Sequence, residues 1–116
     1  MFGIHINGNL TLGENIADNG GIKTAFQAYK NVVKGKELPS LPGVDLSADE
    51  LFFVAFGQVW CSLFSPEFII SNLQTNPHSP GPYRVIGALS NSEEFADTFK
   101  CREGKRMNPT DKCDLW

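Results

Sequence analysis

The spacing of apolar positions along the chain predicts helices, four of them, and no strand of any length. From Leu12 to Lys34, Ala17, Ala25, Phe26, Ala28, Tyr29, Val32 and Val33 recur at helical intervals. Gly35 follows as a stop signal. Gly20-Gly21 interrupts this segment at a cost of about 1 kcal/mol per glycine relative to alanine. A neighbouring element pressed against the backbone is therefore expected there. Pro39, Pro42 and Gly43 break the pattern up to Val44. A second helix is expected from about Ala48 to Phe64. Ser47 is its N-cap, Glu50 completes a capping box, and Leu46 and Leu51 are placed as a hydrophobic staple. Leu51, Phe52, Phe53, Val54, Phe56, Val59, Trp60, Leu63 and Phe64 cover most of its circumference, which predicts burial on several sides. A chain this short struggles to supply that much cover. Ser65-Pro66 opens a third helix to about Gln74, with proline at the first helical position. Pro77, Pro80, Gly81 and Pro82 stiffen a loop from Asn76 to Tyr83, and a short apolar stretch, Val85 to Leu89, follows. Asn91 or Ser92 caps a last helix through about Lys100, and the remaining tail reads as irregular.

The fold class is thus mainly α, within the size of one domain at 116 residues, and no internal repeat is visible. The net charge is −3 and no basic stripe stands out, which argues against a nucleic-acid partner. No apolar run approaches the ~18 residues of a membrane span. The start, Met1-Phe2-Gly3-Ile4-His5, lacks the features of a signal peptide and, read literally, implies a cytosolic chain. The cysteines point elsewhere. Cys61, Cys101 and Cys113 form no Cys-x-x-Cys pair, and an odd number leaves at least one without an intramolecular partner. They are either buried thiols or halves of disulfides whose partners lie in other sequence.

Candidate chemistry is sparse. Glu14 and Asp18 are four apart and share a helix face. They are either a solvated acidic face near a helix start or a metal ligand with its supporting carboxylate. His78 in a proline-rich loop and Arg84 are ordinary surface residues unless a site gathers them. Asn9-Leu10-Thr11 is a glycosylation triplet of a kind that also arises by chance.

The string Leu12-Gly13-Glu14-Asn15-Ile16-Ala17-Asp18-Asn19-Gly20-Gly21 closely resembles the glutamate motif of the neprilysin and endothelin-converting-enzyme family of zinc metallopeptidases. Phe52-Phe53 through Gln58-Val59-Trp60-Cys61 resembles that family's buried helix. His78-Ser79-Pro80-Gly81 with Arg84 resembles its substrate-binding loop. Cys101-Arg102 and Met107-Asn108-Pro109 through Cys113 and Trp116 resemble its C-terminus. The resemblance covers the chain from about Ile4 to Trp116. It implies the C-terminal helical part of a thermolysin-like, or gluzincin, peptidase domain, spanning 1–116. It also implies zinc as the cofactor, peptides as substrates, and a parent enzyme that is extracellular or a plasma-membrane ectodomain. By the same resemblance Glu14 is the third zinc ligand, and Asp18 orients a ligand histidine. His78 stabilises the oxyanion, Arg84 clamps the substrate, and Val59 and Trp60 lie near the pocket after the cleaved bond. For Val59 and Trp60, plain helix core is an equal reading. Ala17 and Gly20-Gly21 would be small so that a zinc-binding helix can approach. Cys61, Cys101 and Cys113 would pair with cysteines preceding this segment.

The family's His-Glu-x-x-His is absent, since His5 and His78 are the only histidines and neither begins it. One ligand of three, without the general base, predicts a chain inactive alone, as expected of an incomplete gene model, a degenerate gene copy or a processed fragment of such a peptidase. The alternative is a short non-catalytic protein that binds peptides or a partner subunit through the His78–Arg84 surface.

Overall fold

The computed structural model describes residues 5–113. Ile4 and Trp116, the outer limits of the motif series, lie outside them, as does the start Met1-Phe2-Gly3-Ile4. Five helices occur in the described chain: α1 Gly8–Val33, α2 Ala48–Val59, α3 Pro66–Thr75, α4 Gly81–Asn91 and α5 Glu93–Thr98.

Helix α1 starts earlier than the apolar pattern suggests, because Asn7 caps it. The Asn7 side-chain oxygen accepts from the backbone N–H groups of Asn9 and Leu10. Asn9 is exposed in the first turn and Thr11 is buried. Gly35, at φ +73°, takes the left-handed conformation just past the helix end. The inward face also differs from the expected one. Thr11, Gly20, Ile22 and Phe26 are buried, with Tyr29 and Val33 partly so. Ala17, Ala25, Ala28 and Val32 are exposed. Gly20 sits within the packed face, but a Cβ at Gly21 or Gly13 would meet nothing within 4 Å. Gly13, Ala17, Gly21, Thr24 and Ala28 therefore form an uncovered stripe of small residues along α1.

Helix α2 has the expected capping box: Glu50 N–H donates to Ser47 Oγ at 3.2 Å and Ser47 N–H to Glu50 Oε2 at 2.7 Å. The Ser47 N–H and hydroxyl hold the Glu50 carboxyl below its ordinary pKa. The helix ends at Val59 rather than Phe64. Trp60 closes a tighter last turn onto Gly57, and Ser65 must be extended to cap α3 ahead of Pro66. Phe53 alone is buried in α2, and Val59 is 73% exposed. Burial on several sides is not realised within this chain. Leu63, at 99% exposure, and Phe64 share that exposed end, and α3 has no buried residue.

The stretch Val85 to Leu89 is the interior of α4, not a separate segment. Ser92 ends α4 and caps α5, its hydroxyl accepting from Phe95 N–H at 3.0 Å. The core gathers Ile22 and Phe26 of α1, Phe53 of α2, and Ala88 and Leu89 of α4. Phe26 stacks on Phe53 with centroids 4.8 Å apart, and Phe95 meets Phe53 edge-on at 5.5 Å. Asp49 ties α2 to α1, accepting from Tyr29 Oη at 3.1 Å and Lys30 Nζ at 2.7 Å. Burial, and then the Asp49 carboxylate, push the Tyr29 phenol above its ordinary pKa.

Candidate functional site

The N-terminal half of α1 lies against α4 and the loop leading into it. Four side-chain contacts join them in register. Glu14 Oε2 lies 3.2 Å from His78 Nε2, and Asn15 Oδ1 accepts from Ser79 Oγ at 2.8 Å. Asp18 accepts from Arg84 Nε at 2.6 Å and Nη2 at 2.5 Å, and Asn19 Oδ1 accepts from Asn91 Nδ2 at 2.9 Å. Residues more than 60 positions apart in the chain thus share one seam.

Glu14 and His78 are about 40% exposed, so their carboxylate and imidazole face outward together. Asp18 and Arg84 are nearly buried. The two parallel hydrogen bonds from Arg84 to Asp18 are the bidentate arrangement a planar guanidinium favours. This pairing raises the Arg84 pKa above its ordinary value, against the opposing effect of desolvation. Two of the five arginine donors are used, and each Asp18 oxygen keeps a second lone pair. Both residues therefore have capacity for a further partner. The Arg84 guanidinium also lies over the Trp60 ring, 4.0 Å from its centroid. Gly81 lets the start of α4 approach: a Cβ there would sit 3.1 Å from the Trp60 carbonyl oxygen. Trp60 Nε1 is buried without a hydrogen-bond partner among the described residues.

Glu14, Asp18, His78, Arg84 and Trp60 therefore form one contiguous site. Val59 is not core, and projects from the end of α2. Three partnerships were not anticipated from the residue pattern. Asn76 Oδ1 accepts from His78 N–H and contacts His78 Nδ1, each at 2.9 Å. The others are Asn15–Ser79 and Asn19–Asn91. For the last two the signal was present, because Thr11, Asn15 and Asn19 put uncharged polar groups on an inward helix face, where each requires a partner. A hollow of about 150 Å³ near Asn19, Asn91 and Cys113 is lined by none of Glu14, Asp18, His78 and Arg84.

No group of three histidine, cysteine, aspartate or glutamate side chains among the described residues could hold a metal ion. Glu14 presents a half-exposed carboxylate beside the small-residue stripe, and no second or third such group joins it among the described residues. Cys61, Cys101 and Cys113 are all free thiols, and Cys61 and Cys113 are exposed. No helix among the described residues is long and apolar enough to cross a membrane.

The profile of Peptidase family M13 matches residues 1–115. Neprilysin of Mus musculus is 54% identical over 115 residues, covering 98% of this chain and 15% of that protein. Endothelin-converting enzyme 1 of Homo sapiens is 55% identical over 113 residues, covering 96% of this chain and 14% of its own length. The chain thus spans about one-seventh of the curated relatives it matches. Among solved structures, the Haemonchus galactose-containing glycoprotein complex superposes with a TM-score of 0.90 at 37% identity, over 96% of this chain and 20% of that one. The Mycobacterium tuberculosis zinc metalloprotease Zmp1 superposes with a TM-score of 0.85 at 30% identity, over 97% of this chain and 17% of that one. The helical fold, the order of the motifs and these likenesses agree: the chain belongs to peptidase family M13.

Proposed function

We propose that this segment is the C-terminal part of a zinc metalloendopeptidase and supplies one zinc ligand and the substrate-facing side of its active site. The observation that carries the reading is the seam itself, in which Glu14 and Asp18 of one helix meet His78 and Arg84 from the loop and helix after it. Glu14 would be one of three protein ligands, the other two being histidines of a His-Glu-x-x-His helix outside this segment. Zinc so held supplies an activated water for peptide hydrolysis. The uncovered small-residue stripe borders Glu14 and Asp18, because Gly13 and Ala17 directly precede them. A helix could pack closely there and bring its histidines to Glu14.

The chain's own residues then divide the work. Asp18 holds Arg84 in place and has acceptor capacity for the N–H of a ligand histidine. His78 presents Nε2 on the same edge as Glu14, where an N–H would face the charge developing on the substrate carbonyl oxygen. Arg84, already oriented by Asp18 and Trp60, has donors left for a substrate carbonyl or carboxylate. Val59, exposed beside Trp60, lines the apolar pocket after the cleaved bond. These residues alone do not hydrolyse peptides, since one carboxylate is a poor zinc site. Cys61, Cys101 and Cys113 pair with cysteines elsewhere in an extracellular parent protein.

The test isolates the endogenous product with an antibody against the 100–113 tail and measures its intact mass and peptide hydrolysis. The expected result is a product well above 12.8 kDa with hydrolysis abolished by a chelator. A larger product with no chelator-sensitive hydrolysis, or hydrolysis by the 12.8 kDa chain alone, contradicts the reading.

A further inference from the structure

The loop that carries His78 has two side-chain attachments to α1 among the described residues, and they differ in kind. His78 and Glu14 are 44% and 40% exposed, and their 3.2 Å contact uses the carboxylate that a cation would take. Ser79 is 7% exposed, and its hydroxyl donates to Asn15 Oδ1 at 2.8 Å. Asn15 is itself held from behind, its Nδ2 donating to Thr11 Oγ1 at 3.1 Å. Thr11 is 3% exposed and its hydroxyl donates to the Asn7 carbonyl at 3.3 Å. The run from Ser79 through Asn15 and Thr11 therefore ends on the backbone of the α1 cap. Such a run fixes the Asn15 acceptor independently of the loop. Ser79 follows His78 by one peptide bond, and Pro80 then leads with a fixed φ into α4. On α1, Asn15 follows Glu14. A bond between Asn15 and Ser79 thus sets the separation of the residues just before them, Glu14 and His78.

The further step rests on the reading of Glu14 as a zinc ligand. Once that carboxylate is shared with a metal, its half-exposed contact with His78 is a poorer hold on the loop than the Asn15–Ser79 bond. We infer that the partly buried Asn15–Ser79 hydrogen bond is the latch that positions His78 beside the zinc ligand, making both Asn15 and Ser79 positioning residues for peptide hydrolysis. A donor aimed at developing charge loses its effect when displaced by about 1 Å, a misplacement that can cost on the order of 100-fold in rate.

The experiment uses the complete peptidase carrying this segment. S79A is expected to retain bound zinc and a KM within about twofold of the parent, while kcat falls roughly 10- to 100-fold. N15A should behave alike, and N15A/S79A should fall no further than the worse single variant, as for two ends of one interaction. S79T, which keeps the hydroxyl, should recover most of the parent kcat. The inference is overturned if kcat of S79A per bound zinc stays within about twofold of the parent, whatever happens to yield. It is equally overturned if the single effects multiply in the double variant, or if S79T is as impaired as S79A, which would assign the effect to packing. E14A separates the two levels. Zinc and turnover retained in E14A refute the zinc site itself, whereas an inactive E14A beside a fully active S79A refutes the latch alone.

Discussion

Arg84 is held on two sides by unlike forces. Asp18 takes two of its N–H groups, and Trp60 offers its ring face 4.0 Å away. The Arg84 and Asp18 side chains are only 13% and 12% exposed, so removing one partner strands the other's charge. D18A should therefore lower stability by on the order of 3 kcal/mol, read by urea unfolding of the protein. R84K should recover only part of the native stability, because one ammonium reproduces neither the parallel pair of bonds nor the stacking. D18A as stable as the parent would show that the pair contributes nothing to stability. At this scale the sequence was partly legible. The four-residue spacing of Glu14 and Asp18 put both carboxylates on one helix face. Their partners could not be found by spacing, because His78 and Arg84 arrive from more than 60 residues away through the packing of α4. Only the ordered motifs of a known family pointed to them.

Among the elements, α2 shows how local signals and tertiary ones part company. Its start follows from Ser47 and Glu50, a reciprocal pair that any sequence can reveal. S47A should cost about 0.5–2 kcal/mol, measured by thermal or urea unfolding. The box also has a pH dependence of known sign. The Glu50 pKa is lowered in the fold, from an ordinary 4.5, chiefly by the Ser47 N–H. Its contribution is therefore complete above that ordinary value and fades as pH falls through the lower folded one. Amide protection factors in the first turn of α2, taken against intrinsic exchange at each pH, should fall in that window and should be insensitive to it in E50Q; an unchanged acid response in E50Q contradicts the assignment. The end of α2 was not legible, because the apolar run continues past Val59 while the backbone must leave the helix to reach Ser65 and Pro66. On α1 the sequence misled about the face. Ala17, Ala25, Ala28 and Val32 at helical spacing look like core, but Ile22 and Phe26 are what the core receives, and those four stay outside. Small residues report close packing only when something is present to pack.

At the scale of the molecule, the segment has more surface than a self-sufficient domain of its mass. Its accessible area is 8118 Å², against about 6,300 Å² for a compact monomer of this size. Its radius of gyration is 15.9 Å, against roughly 13 Å for a globular chain of this length. Val59, Leu63, Phe64 and Phe68 are at least 49% exposed on the α2–α3 side, and the small-residue stripe runs uncovered along α1. Both surfaces are open to packing by another element, and the stripe lies beside the Glu14 carboxylate. In the function proposed here, Glu14 is one of three zinc ligands, the other two coming from elsewhere in the parent protein. The most direct test is the zinc content, by elemental analysis, of that complete protein and its E14A variant, with peptide hydrolysis measured on the same samples. E14A is expected to fold but to lose its bound zinc and its hydrolysis together. Zinc and turnover preserved in E14A would contradict it.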